Sequence, residues 1–282
     1  LSGLFRYPVK SCRGEALDRA VVEPWGLAGD RRWMLVDDAG VSVTARELNR
    51  LVLLRPEITS TGLRVAAPGA EPLDVATPDP AEQVPVQVFS SSFTAAAAAP
   101  EADAWFTAVL GVAVRLVHLD DPRRRPTSAS FEGGFGDPHD RVSLADGYPL
   151  LLATEASLAA LEDEVLAAAA HPRDPLPMAR FRPNVVVRGT PAWVEDDWRR
   201  LRIGDAVFRA VKGCARCVIT TVDPDTAERE KEPIATLART RRWDGKAWFA
   251  VNLVPDTPGV TIAVGDEVEV LDAVASGGGP LR

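Results

Sequence analysis

Gly213-Cys214-Ala215-Arg216-Cys217-Val218-Ile219-Thr220-Thr221-Val222-Asp223-Pro224-Asp225-Thr226 concentrates the chemistry of this chain. Two of its three cysteines lie here with Arg216 between them. A thiolate is a soft metal ligand and a strong nucleophile, and a neighbouring guanidinium favours the ionised form. The β-branched residues after Cys217 predict a strand over 218–222, where a thioredoxin-like CxxC would open a helix. Asp223-Pro224-Asp225-Thr226 reads as a turn whose aspartates bond back to the backbone. By itself the cysteine pair is equally readable as two small buried hydrophobes. Zinc would require Cys12 and a stray histidine to complete four ligands.

Working outward, cationic residues recur beside strand-like runs. Lys10 and Ser11 follow the opening run, Arg31 and Arg32 precede Trp33, and Arg182 with Asn184 precedes Val185-Val186-Val187. Singly, each reads as a solvated strand end. Brought together with Arg216, they would form an anion cradle whose guanidinium forks suit phosphate and planar heterocycles.

The remaining pattern is strand-rich. Short apolar runs predict strands over 33–36, 41–44, 51–54, 63–66, 84–89, 112–118, 184–187, 207–211, 248–253 and 268–271. A helix is expected over 101–110, closed by Gly111. A second is expected over 155–170, with Thr154 as N-cap and Leu158, Leu161, Val165 and Leu166 on one face. The alanine-rich stretch 90–100 carries no clear period. Residues 120–147 are irregular and glycine- and proline-rich, and are expected to connect two domains and fold over a site. Trp193 and Trp198 are expected to cap a core, with Glu195, Asp196 and Asp197 facing solvent. The glycine-rich 275–280 tail is expected to fray. The sum is a β-dominated α+β protein, with an N-terminal β-rich domain over 1–118, a second domain over 119–272 and a flexible tail over 273–282.

Composition narrows the function. At 282 residues and 46% hydrophobic content, the chain can bury a full core. Its net charge of −8 argues against general nucleic-acid or anionic-membrane binding. No run approaches the ~20 apolar residues of a membrane helix. Leu1 to Pro8 reads as a strand already under way, so a few residues are expected to precede it, without a secretory signal. Three cysteines make no disulfide framework, so a reducing, cytoplasmic setting is expected. His118, His139 and His171 are scattered, a poor basis for a histidine zinc site or a catalytic triad. Arg123-Arg124-Arg125 reads as a solvated run that could dock an acidic electron donor.

Lys10-Ser11-Cys12-Arg13-Gly14, Gly29-Asp30-Arg31, Val43-Thr44-Ala45-Arg46, Phe181-Arg182-Pro183-Asn184 and the Cys214–Thr226 motif together resemble the MOSC family in order and spacing. Lys231-Glu232-Pro233 and Val264-Gly265-Asp266 also fit. The likeness is strongest to its amidoxime-reducing members and runs from about Leu4 to Leu271. It implies a C-terminal MOSC β-barrel and a molybdenum–molybdopterin cofactor held between the domains. By matching position, Cys217 would bind the metal. Lys10, Ser11, Arg31, Tyr148, Arg182, Asn184, Arg216 and Asn252 would hold the pterin and its phosphate. The resemblance implies a reductase of small N-hydroxylated compounds, fed by a separate flavin, haem or iron-sulfur protein. A cofactor carrier without turnover is the alternative. Ala215 departs from the pattern, since relatives often place a hydroxyl there.

Overall fold

Runs of β-branched and aromatic residues make strand the dominant regular element of this chain, and the way the strands pair decides which turns meet. The computed structural model describes residues 1–127, 137–169 and 171–282. Its largest sheet runs Val268–Ala273, Trp198–Ile203, Ala206–Ala215, Lys246–Pro255, Leu150–Thr154, Val185–Val187, Gly3–Arg6, Glu15–Ala16. All neighbours on that path are antiparallel except Leu150–Thr154 and Val185–Val187. Gly3 lies opposite Val186, so the first strand completes a sheet otherwise built from the second half of the chain. Arg19–Glu23 likewise pairs with Thr261–Ala263.

A four-stranded sheet runs Trp33–Val36, Arg115–His118, Ser91–Ala97, Gln83–Val88, and a three-stranded one runs Arg55–Ile58, Gly62–Ala67, Ala70–Ala76. The alanine-rich stretch is therefore the return strand of a hairpin. Ala95 and Ala96 are fully buried there, where larger side chains would not fit a packed interior.

Among the described residues there are three α-helices: α1 (Pro100–Leu110), α2 (Glu155–Ala168) and α3 (Ile234–Thr240). Helix α1 begins on Pro100 and packs Phe106 and Leu110 into the core with Trp33, Leu51, Leu63 and Leu116. Gly111 ends it at φ 74°, donating to the Thr107 carbonyl. A Cβ on Gly111 would meet nothing within 4 Å. Gly111→Ala should therefore cost only the left-handed conformation, about 1 kcal/mol, read as a lower denaturation midpoint. An unchanged midpoint would show that this helix end relaxes freely.

Helix α2 has the expected cap, with Thr154 Oγ1 accepting from the Ser157 N–H at 3.1 Å. Leu161 and Val165 are buried, but Leu166 is 45% exposed, a 100° step round from Val165. The expected end at Ala170 falls on a residue outside those described.

Several expected strands are not strands. Residues 51–54 lie largely in a 3₁₀ turn, Asn49–Leu53, buried through Leu51 and Val52. Residues 41–44 keep only single bridges, Val36 to Ser42 and Val41 to Gln87. The run after Cys217 is a 3₁₀ turn, Val218–Thr221. Thr220 donates to the Cys217 carbonyl at 3.0 Å and Thr221 to that of Val218 at 2.7 Å. Those local bonds override β-propensity.

Trp198 does join the core, and Trp193 packs edge-on to Phe249. The three carboxylates between them, however, are buried and not solvent-facing. Glu195 accepts from Ser157 Oγ at 2.8 Å, and Asp196 pairs with Arg241, whose guanidinium lies over Trp193. The last residues are docked as well: Leu281 is buried and its carbonyl accepts from Gly213 at 2.6 Å.

Candidate active site

The turns that leave these sheets bring the scattered cations together. Lys10 and Ser11 follow the first strand, and the Lys10 N–H is held by the Trp33 carbonyl. Arg31 precedes Trp33–Val36, and Arg182 ends the 3₁₀ turn Met178–Phe181. Cys214 and Ala215 end the long strand Ala206–Ala215; Arg216 and Cys217 follow it. Lys10, Ser11, Arg31, Tyr148, Arg182, Asn184, Arg216, Cys217 and Asn252 all line one open cleft. Ser11, Arg31 and Arg182 do so with φ of 68°, 48° and 56°. Such strain in non-glycine residues persists only where the surroundings enforce it, and it gathers at functional sites.

The cleft is strongly cationic. Arg182 donates to the Cys12 carbonyl at 2.7 Å, and Arg31 donates to Asp30 at 2.6 Å and to Asn184 Oδ1 at 3.0 Å. Both guanidinium carbons lie 4.4 Å from the Tyr7 ring centroid. Arg216 donates to Cys214 Sγ at 2.7 Å and to the Phe181 carbonyl at 2.8 Å. Burial pulls Arg182 down to about 10 and pushes the Cys214 thiol up, against the pull of Arg216 on that sulfur. Asn184 is already committed: its carbonyl accepts from Arg31 and Leu151, and its amide donates to Phe5. Asn252 donates to the Gly213 carbonyl at 3.1 Å, tying its own strand to the cysteine strand.

Two cleft residues were given no role from sequence. Asp146 binds Lys10 through one carboxylate oxygen and Arg46 through the other. Burial opposes its charge, but Lys10 and Arg46 outweigh it and hold the carboxyl far below its ordinary range. Lys10 is lowered to about 8, chiefly by burial. Burial also works against Arg46, yet Asp146 and a hydrogen bond with Cys217 keep its pKa above the ordinary value. Arg46 stood in a quoted motif. Asp146 lay in the irregular 120–147 segment, where a lone aspartate carries no signal.

That segment does reach the cleft, through residues 145–147, while its residues 128–136 lie outside those described. Arg125 holds it: the buried guanidinium donates to the carbonyls of Ser143, Ala145 and Asp146. The arginine run is thus divided: Arg123 and Arg124 are exposed, as expected, and only Arg125 is not. Arg125 is internal, and Arg123 and Arg124 are paired with Asp121 and Asp120. Asp223 forms the expected turn, accepting from the N–H groups of Asp225 and Thr226, and pairs with Arg180 away from the cleft.

Among the described residues no cluster of three or more histidine, cysteine or acidic side chains could hold a metal ion. A metal here would take one protein thiolate and draw its other ligands from elsewhere. Two buried cleft donors, Arg182 Nη2 and Arg216 Nε, have no hydrogen-bond partner. Buried donors are rarely left so, which marks both arginines as places where a bound anion would add a hydrogen bond.

Residues 1–113 match the MOSC N-terminal beta barrel domain and residues 139–269 the MOSC domain. The chain is 33% identical to mitochondrial amidoxime-reducing component 1 of Homo sapiens, over 95% of this chain and 82% of that protein. It is 34% identical to mitochondrial amidoxime reducing component 2 of Rattus norvegicus, over 86% and 73%. The molybdenum cofactor sulfurase of Oryza sativa subsp. japonica is 29% identical over 90% of this chain, which spans 32% of that protein.

Proposed function

The chain belongs to the MOSC-domain family that includes the mitochondrial amidoxime-reducing components, and we propose that it is a molybdenum-cofactor reductase of N-hydroxylated compounds. One observation carries this most: Cys217 lines a cleft shared by Lys10, Arg31, Arg46, Arg182 and Arg216, with two buried guanidinium donors still unpartnered. These residues fit the cofactor. Cys217 would ligate the metal, and Arg182 and Arg216 would grip the phosphate with their spare donors. Arg31, Lys10, Ser11, Tyr148 and Asn252 would border the pterin. Asn184, with its carbonyl committed, would act more by orienting Arg31. When bound, the cofactor supplies the two-electron redox chemistry.

The overall reaction breaks the N–O bond, takes in two electrons and two protons, and releases the N–H compound and water. In this reading the electrons come from a separate flavin, haem or iron-sulfur protein. The protein's own work is to hold the anionic cofactor, keep Cys217 beside Arg46, and leave a path for a small substrate. Asp146 supports that path by fixing Lys10 and Arg46 together at its edge, and its side chain is half exposed. Three free cysteines favour a reducing compartment, and we assign the protein to the cytoplasm, although the amidoxime-reducing relatives are named mitochondrial. Among the described residues no helix is long and apolar enough to cross a membrane.

The likeness to a molybdenum cofactor sulfurase favours one alternative, a cofactor-binding module without turnover. Dye-linked turnover separates them. Protein of known molybdenum content should oxidise reduced viologen when an N-hydroxylated base is added. Bound molybdenum with no turnover across several such compounds would favour the carrier.

A further inference from the structure

The hairpin formed by Gln83–Val88 and Ser91–Ala97 turns through a two-residue loop, Phe89-Ser90. Phe89 takes the first loop position with φ 52°. Hairpin turns of this kind place glycine where φ is positive, because a side chain there is strained. A bulky aromatic at such a position needs a reason, and packing does not give one. Phe89 is 57% exposed and belongs to no core cluster, unlike Phe93 further along the same hairpin. The loop is nonetheless fixed, with Gln87 Nε2 donating to the Phe89 carbonyl at 2.6 Å.

The ring is directed at the cleft's edge. The Arg46 guanidinium carbon lies over it, 4.9 Å from the centroid. Arg46 itself lines the cleft, pairs with Asp146 and interacts with Cys217. The aromatic surface therefore stands one side chain away from the proposed reaction centre. Strain in an exposed aromatic, beside a cation that borders the site, is the arrangement expected of a ligand platform.

We propose that Phe89 is a specificity-determining residue: a platform at the mouth of the cleft that stacks the flat ring of an aromatic N-hydroxylated substrate, with Arg46 fixing the platform's position. This rests on the reductase assignment made above. An aliphatic N-hydroxylated substrate has no ring to stack and gains little from Phe89.

The test is a comparison of benzamidoxime with acetamidoxime in the molybdenum-loaded protein and in Phe89→Gly, with viologen as donor. The variant should fold at least as well as the parent, since glycine suits the turn. The ratio of kcat/KM for benzamidoxime to that for acetamidoxime should fall about fivefold, through KM. An unchanged ratio would overturn the proposal. So would an unchanged ratio accompanied by slower turnover with a protein donor, which would make the ring a donor contact. Calorimetric binding of benzamidoxime gives a second readout independent of turnover. If the parent reduces neither substrate, the reductase assignment fails, and the binding data still decide Phe89: weaker binding in Phe89→Gly supports the platform, and equal binding removes it.

Discussion

Cys217→Ala should lower amidoxime turnover more than about a hundredfold in protein of matched cofactor content, whereas Cys214→Ala should lower it about tenfold or less. Removing groups that only orient a metal's ligands typically costs 10- to 100-fold, so loss of the ligand itself should exceed that range. The two cysteines differ in what they face. Cys214, partly exposed like Cys217, accepts from Arg216, which keeps the Phe181 carbonyl as a second acceptor when the sulfur is gone. Cys217 lies past the end of the strand, partly exposed, beside Arg46. Equal losses in the two variants would contradict the assignment of a single thiolate ligand.

The second large effect concerns stability. Burial raises Glu195 from its ordinary 4.5 to about 7, with Ser157 and Thr154 only partly offsetting it. One carboxylate oxygen, Oε1, has no partner. The folded protein thus holds a proton that the unfolded chain releases. Glu195 contributes full stability below about pH 4.5, and that contribution is lost as pH rises through about 7, by about 3 kcal/mol in all. Asp146 and Asp223, with lowered values, pull the other way, so the whole-protein profile mixes opposing signs. Denaturant unfolding of the parent against Glu195→Gln isolates the effect. The stability advantage of the parent should shrink by about 3 kcal/mol from pH 4.5 to pH 8. A pH-independent difference would mean that folding leaves the Glu195 pKa unchanged.

The β-dominated class was legible in the sequence, and so were many residues that line the cleft. Arg216 and Cys217 share one motif, and the turns carrying Lys10, Arg31 and Arg182 each have a recognisable cation before or after an apolar run. The resemblance put them in one cleft, where they indeed meet. Asp146 was invisible because its meaning lies in its partners: Lys10 is 136 residues away and Arg46 is 100. Glu195, Asp196 and Asp197 read as surface because acidic residues usually are. Only tertiary contacts with Ser157 and Arg241 bury the first two. The run after Cys217 misled through propensity: its threonines bond to carbonyls one turn back and wind the chain instead of extending it.

The proposed role of Cys217 is to ligate molybdenum in the cationic cleft. X-ray absorption at the molybdenum edge, on the parent and on Cys217→Ser loaded under the same conditions, tests it most directly. The variant should show one fewer sulfur neighbour, with the pterin sulfurs retained. An identical sulfur shell in the two proteins would place the metal on some other ligand and contradict it.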